Sequence, residues 1–235
     1  MKKFLNEDEC LKNHMYMLEN DLLYRKYYNF LLGAYLGDGY IVLTKNERCF
    51  RFTIYSNQHQ YKVIDMCYNC LKYVFPDNKI SKYTNKKYNV TEIKVFNKYL
   101  PILFPQHGVN KKHERDIILN NIQLKYIDYH MISLGMFYSD GCFYCQDKKY
   151  YMYNFTNCSY QITKIFADCM DNLEIKYRIV KIEKSSKRKS DIYRVVISKS
   201  KEVYKLYKFF GEKYYESSCN NGEDIIKNIK YNVLK

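Results

Sequence analysis

Hydrophobic positions change period several times along the chain, and the changes mark its elements. Ile162, Ile165, Phe166, Cys169, Met170 and Leu173 fall at i, i+3, i+4, i+7, i+8 and i+11, the stripe of a helix that buries one face. Tyr61, Ile64, Cys67, Leu71 and Val74 form a looser stripe of the same kind. Glu92–Lys98 and Ile192–Lys199 alternate apolar and polar positions, as half-buried strands do. Two further segments, Leu31-Leu-Gly-Ala-Tyr-Leu-Gly-Asp-Gly39 and Ser133-Leu-Gly-Met-Phe-Tyr-Ser-Asp-Gly141, are apolar enough for buried helices and align without a gap at an offset of 102 residues.

The match extends downstream. Phe52–Asn57 resembles Met152–Asn157, with the asparagines 100 residues apart, and a helical stripe follows each. The alternating segments come next, and their alignment equates Lys94 with Arg194; Asp116-Ile-Ile118 then echoes Asp224-Ile-Ile226. Five matches in one order describe a unit written twice. Each copy reads helix, strand, strand, helix, strand, strand, helix. The expected class is α+β, as two related αββαββα lobes. Residues 1–22 form a polar, helical arm, residues 23–123 the first repeat and residues 124–235 the second, with Lys111–Gln123 as connector.

Charge narrows the function. The 235 residues carry a formal charge of +14, with 28 tyrosines and no tryptophan. Such a surplus on a small surface calls for a polyanion, and Tyr with Lys suits a wet, phosphate-bearing interface. Hydrophobic residues make up 47%, enough for a core. The longest apolar run, Met131–Tyr138, is far short of a membrane span, and no secretory leader opens the chain. Nine cysteines include two C-x-x-C pairs, but Cys67 and Cys70 fall on a helix's core face. Cys142 and Cys145 fall on opposite faces of a strand, so buried thiols fit better than zinc. The odd count points to a reducing compartment.

The paired motif carries the chemistry. Gly33 and Gly37, echoed by Gly135 and Ser139, put small residues on one helix face, where another backbone can approach. Two such helices pack like against like, Gly39 and Gly141 end them, and Asp38 and Asp140 come together at their feet. Carboxylates at helix C-termini oppose the macrodipole and repel each other. A hard cation such as Mg²⁺ between them relieves both, with helix-terminal carbonyls at Gly37 and Ser139 as further oxygen ligands.

These segments resemble the LAGLIDADG motif of homing endonucleases, Asp38-Gly39 and Asp140-Gly141 matching its final Asp-Gly, in the monomeric two-repeat form. Leu36 and Tyr138 replace the motif's first Asp. The resemblance implies two lobes that form a DNA-binding saddle, with the motif helices at its centre. It also implies a site-specific double-strand endonuclease in which Asp38 and Asp140 hold Mg²⁺, with Mn²⁺ as substitute, and which leaves short 3′ overhangs. A basic residue assists each centre in that family. Lys112 is the candidate here, with Lys111 and Arg115 nearby. Aligned on Asp-Ile-Ile, the second copy has Asn220 in its place, so Lys213 or Lys227 serves there or that centre is weaker.

The expected DNA-binding residues are Tyr40, Lys45, Arg48 and Arg51 with Lys148, Lys149 and Tyr150 on the first strand pairs. On the second pairs they are Lys82, Lys86, Lys87 and Lys94 with Lys187, Arg188, Lys189 and Arg194. Alternation turns about half of each strand toward the duplex. The other reading of the same fold is a non-catalytic nucleic-acid binder, either a maturase-like partner of intron RNA or a DNA-binding regulator. Retention of both Asp38 and Asp140 favours the enzyme. Target sequence, host genetic element and compartment, an organelle such as the mitochondrion included, are not readable from the chain.

Overall fold

The computed structural model describes residues 6–44, 49–108, 112–146, 150–184 and 190–210, with backbone alone at 144–146 and 150. The first lobe runs α2 (Leu22–Leu36), β1 (Tyr40–Leu43), β2 (Phe50–Asn57), α3 (Tyr61–Val74), β3 (Ser81–Asn85), β4 (Val90–Asn97) and a short α4 (Leu100–Leu103). A 3-10 turn at Lys112–Glu114 and α5 (Asn121–Lys125) lead into the second. That lobe runs α6 (Tyr129–Asp140), β5 (Gly141–Gln146), β6 (Tyr150–Asn157), α7 (Tyr160–Asn172), β7 (Arg178–Ile182), β8 (Ile192–Ile197) and α8 (Ser200–Phe210). This is the αββαββα unit twice. The arm, α1 (Glu7–Asn20), opens on an Asn6/Glu9 capping box and packs against α2 and α4.

Each sheet is antiparallel, in the orders β1-β2-β4-β3 and β5-β6-β8-β7. Phe52 and Ile54 pair with Val95 and Ile93, and these four form the core face of the first sheet. Tyr153 and Phe155 do the same in the second, opposite Ile197 and Val195. The other face of each sheet is left open by its own helices. Cys67 and Cys70 are buried on α3, as the stripe predicts. Cys142 lies exposed on the open face of β5, and the side chain of Cys145 is outside the described residues.

The lobes join through α2 and α6, which pack along their length. A Cβ on Gly33 would fall 2.0 Å from the Ile132 carbonyl oxygen, and one on Gly135 2.1 Å from that of Phe30. Backbone therefore meets backbone at this crossing. Buried Asn29 fixes its register: Nδ2 donates to the Tyr126 carbonyl at 3.1 Å, and Oδ1 accepts from the Asp128 amide at 3.1 Å. Asp128 in turn caps α6 by accepting from Met131.

Candidate active site

The helix packing brings two carboxylates together, but the two ends differ. α2 stops at Leu36, with Gly37 as its cap, and Asp38 lies in the following turn, where the Gly39 amide donates to the Ala34 carbonyl at 2.8 Å. α6 continues through Asp140, and Gly141 begins β5. The expectation that Gly39 and Gly141 end matching helices therefore holds for the second lobe alone. The ends differ in residue type at the pair Gly37 and Ser139, and Ser139 Oγ donates to the Met136 carbonyl at 2.8 Å with the Gly135 carbonyl at 3.2 Å.

Asp38 and Asp140 come within hydrogen-bonding reach of each other. Burial and the charge of Asp38 push Asp140 up to about 7, while Asn157 and Lys112 pull the other way. Asn157 Nδ2 donates to Asp140 Oδ2 at 2.7 Å, and His113 hydrogen-bonds to Asn157. Neither Asn157 nor His113 was singled out by sequence reasoning for a role. Asn157 served there as an alignment mark at a strand end, and only the fold places it against Asp140.

Lys112 reaches the site from the 3-10 turn. Its Nζ donates to the carbonyls of Tyr35, Gly37 and Gly39, the last at 2.9 Å, and so caps the negative end of α2. Burial lowers it to about 8, opposed by Asp140 and Asp38. Its contact with Gly37 leaves that carbonyl one lone pair for any ion. Arg115 is engaged with the Tyr35 hydroxyl and the Gln106 carbonyl. Lys111, Lys213, Asn220 and Lys227 lie outside the described residues.

The carboxylates stand in a cleft of about 1090 Å³ lined also by Lys112, His113, Asn157 and Tyr40. A smaller hollow of about 210 Å³ also takes in Asp38, against Ser56, Gln60 and Ser139, with no cationic side chain among the described residues that line it. The two spaces that meet at Asp38 are thus unlike. Among the described residues no cluster of three or more His, Cys, Asp or Glu side chains forms. The donors at the aspartates are hard oxygens, and a raised Asp140 beside a second carboxyl fits a hard divalent cation.

Of the expected DNA contacts, Tyr40, Arg51, Lys94 and Arg194 lie on the open faces, and Lys86 and Lys87 lie in the β3–β4 turn. Lys82 does not join them. It pairs with Ile93, so alternation turns it toward α3, where it meets Asp65 at 3.7 Å and the Tyr68 ring. The ladders also separate Lys94, opposite Thr53, from Arg194, opposite Thr156, so the equivalence drawn from sequence is corrected. Lys45, Arg48, Lys148, Lys149, Lys187, Arg188, Lys189 and the Tyr150 side chain are outside the described residues.

Residues 133–211 match the family model described as LAGLIDADG-like domain. That segment is similar to LAGLIDADG-like domains. Among solved structures, I-DmoI in complex with DNA and Mn is 15% identical over 80% of this chain and 98% of that one, with a TM-score of 0.55. I-DmoI in complex with DNA and Ca is 16% identical over 88% and 98%, with a TM-score of 0.53. Full-length DUF199/WhiA from Thermatoga maritima is 14% identical over 99% and 74%, with a TM-score of 0.51. A comparison with curated proteins gives no match. The LAGLIDADG fold expected from the motif thus extends over both lobes. It is shared by a homing endonuclease and by DUF199/WhiA, so the fold does not choose the activity.

The raised Asp140 has a consequence for stability. The native state holds its proton more tightly than the unfolded chain, whose carboxyl titrates near 3.8. This contribution is present below about pH 4 and is lost as pH rises through about 7. Lys112 titrates above that window. Metal-free Asp140→Asn is therefore expected to melt a few degrees above wild type at pH 8, since about 1 kcal/mol moves a chain of this size by about 2–4 °C. The gap should narrow as pH falls below about 7 and close only near pH 4, as calorimetry in EDTA would read directly.

Proposed function

We propose that the protein is a site-specific double-strand DNA endonuclease that hydrolyses phosphodiester bonds with Mg²⁺ or Mn²⁺ and acts as a monomer. The carrying observation is the convergence of Asp38 and Asp140 at the floor of a cleft between two open antiparallel faces. A binding protein has no need of two repelling carboxylates at its centre. Asp38 and Asp140 would hold the cation, which when bound supplies Lewis-acid polarisation of the phosphate and a more acidic water. Asn157 orients Asp140. Lys112 fixes the end of α2 and places positive charge beside both carboxylates. A non-catalytic DNA-binding regulator is the second reading, favoured by the likeness to DUF199/WhiA. Among the described residues no feature of the open faces singles out intron RNA.

The deciding experiment is selection of bound duplexes from a random library, followed by cleavage of the recovered sequence. Mg²⁺ or Mn²⁺ should be required for cutting, and Ca²⁺ should support binding with little turnover. Robust cutting in EDTA would reject the metal site, and specific binding with no cutting in any divalent ion would favour the regulator.

Binding should also weaken steeply with salt. A saddle making about 8 phosphate contacts gives a slope of log K against log salt near −7. A slope shallower than about −2 would argue against an extended groove.

Cutting should be unequal on the two strands, because Lys112 and Asn157 serve the larger cleft while the smaller hollow at Asp38 has no described cation. Lys112→Met should slow one strand by about 10²-fold more than the other. Nicked plasmid should accumulate early with wild type. Equal strand rates in both proteins would show that another residue completes the second centre.

A further inference from the structure

The two sheets can be matched residue by residue through contacts that repeat. Tyr35, Phe52 and Phe104 form an aromatic triad under the first motif helix. Phe137, Tyr153 and Phe210 form the same triad under the second. Phe52 therefore corresponds to Tyr153, and Ile54 to Phe155. Across the next ladder Ile54 pairs with Ile93, and Phe155 pairs with Val195. Their neighbours on the open faces, Glu92 and Arg194, consequently occupy the same place in the two lobes. They carry opposite charge.

Glu92 lies between Tyr55 on β2 and Tyr83 on β3. A carboxylate on a face that meets phosphates weakens binding by repulsion, so its presence needs a reason other than affinity. Lys94, two residues on and on the same face, donates to Glu92 Oε2 at 2.9 Å and holds it in place. On a duplex, a carboxylate suits the N4 amino group of cytosine. Arg194 lies between Thr156 and Val180, and its Nε donates to Thr156 Oγ1 at 3.2 Å. That bond sets the plane of the guanidinium and leaves its terminal nitrogens for O6 and N7 of guanine. Thr156 also lines the cleft that holds Asp140, so the Arg194 strip is continuous with the proposed active site.

Building on the reading of the chain as a sequence-specific DNA endonuclease, we propose that Glu92 and Arg194 are a specificity-determining pair that reads cytosine in one half-site and guanine at the quasi-symmetric position of the other. Two like lobes facing a duplex about a quasi-twofold axis would read a palindrome if their side chains matched. Opposite charges at one matched place break the palindrome there. The target then carries different bases on the symmetry-related strands at these two positions, and the protein distinguishes its two orientations.

The test is selection of bound duplexes from a random library by the full chain with Ca²⁺ in place of Mg²⁺, for wild type, Glu92→Arg, Glu92→Gln and Arg194→Glu. Wild type should return one sequence with cytosine at one position and guanine on the symmetry-related strand at the other, so that a single strand carries the same base at both positions and the site is not palindromic there. Glu92→Arg should switch that one position from cytosine to guanine, with the rest of the sequence unchanged. Glu92→Gln should lower the preference for cytosine about tenfold and tighten non-specific binding. Arg194→Glu should change the other position alone. A role confined to holding the sheet together would move melting temperature and overall affinity but not the base chosen at one position. If Glu92→Arg does not fold, the near-isosteric Glu92→Gln decides. Wild type that enriches no sequence would overturn site specificity and this pair with it. An enriched sequence left unchanged by the Glu92 variants would overturn the pair and leave the endonuclease reading standing.

Discussion

Asp38→Asn and Asp140→Asn are each expected to lower double-strand cleavage by about 10³-fold or more while leaving DNA binding in Ca²⁺ within a few-fold of wild type. The reasoning starts from charge. An amide keeps the size of the carboxyl group but loses the anionic oxygen that a hard cation prefers, and such an ion stabilises transition-state charge by several kcal/mol. Each 1.36 kcal/mol is tenfold in rate, so even partial loss of the ion's grip is large. The fold should not suffer, because each substitution removes one of two mutually repelling groups, and at Asp140 one that burial already disfavours as an anion. The Asn157 contact separates the two variants further. Asp140→Asn keeps an oxygen to accept from Asn157, so the cavity wall stays formed and the loss is chemical. Cleavage on the recovered target, read beside a melting curve and a gel-shift titration, checks all of this. A variant that cuts at near wild-type rate would take that aspartate out of the site, and a variant that loses binding and melts far earlier would make it a structural turn.

Much of this architecture was legible in the chain, and the reason is physical. The α7 stripe of Ile162, Ile165, Phe166, Cys169 and Met170 is buried as the helical period demands, and Ile93 and Val95 are buried as the strand period demands. Local periodicity reports which face meets a core, so the elements and their repetition could be read directly. The close approach of α2 and α6 was readable too, because small residues four apart on matching segments leave few other uses for that spacing.

What could not be read depends on contacts between distant parts of the chain or on a shift of one or two residues. Lys112 caps α2 from 75 residues away, a bond that no local pattern encodes. The motif segments align at an offset of 102, but the central strands align Phe52 with Tyr153, an offset of 101. In the next strands the offset is 102, so matching Lys94 to Arg194 is out by two residues, a shift that keeps the open face but puts Lys94 in the place that belongs to Glu92. Lys82 fell on the wrong face for a related reason: composition counts a lysine, and parity against Ile93 decides where it points. Glu92, the charged residue that best distinguishes the two lobes, is marked by the ladder register and not by composition, which sets it among the acidic residues of a basic chain.

Gly33→Ala is expected to be among the most damaging single changes for stability and cleavage together, although it adds one methyl group and improves helix propensity. The added Cβ would sit 2.0 Å from the Ile132 carbonyl oxygen and 2.9 Å from the Met136 amide nitrogen, both backbone atoms of α6. A side chain could swing aside, but a helix backbone moves only as a body, so α2 and α6 must separate. Overpacking of this kind costs about 1–3 kcal/mol and sometimes more, against a gain of about 1 kcal/mol from replacing glycine in a helix. The net loss should lower the melting temperature by several degrees, at about 2–4 °C per kcal/mol. The effect on cleavage should exceed what that loss explains, because the same crossing sets the separation of Asp38 and Asp140, and a misplacement of about 1 Å can cost about 10²-fold. Gly135→Ala, which meets the Phe30 carbonyl oxygen at 2.1 Å from the opposite side, should do the same. Since both changes push the same two helices apart, the double variant should lose less than the two single losses added together. Full cleavage and an unchanged melting temperature in Gly33→Ala would show that the helices do not meet backbone to backbone at this point.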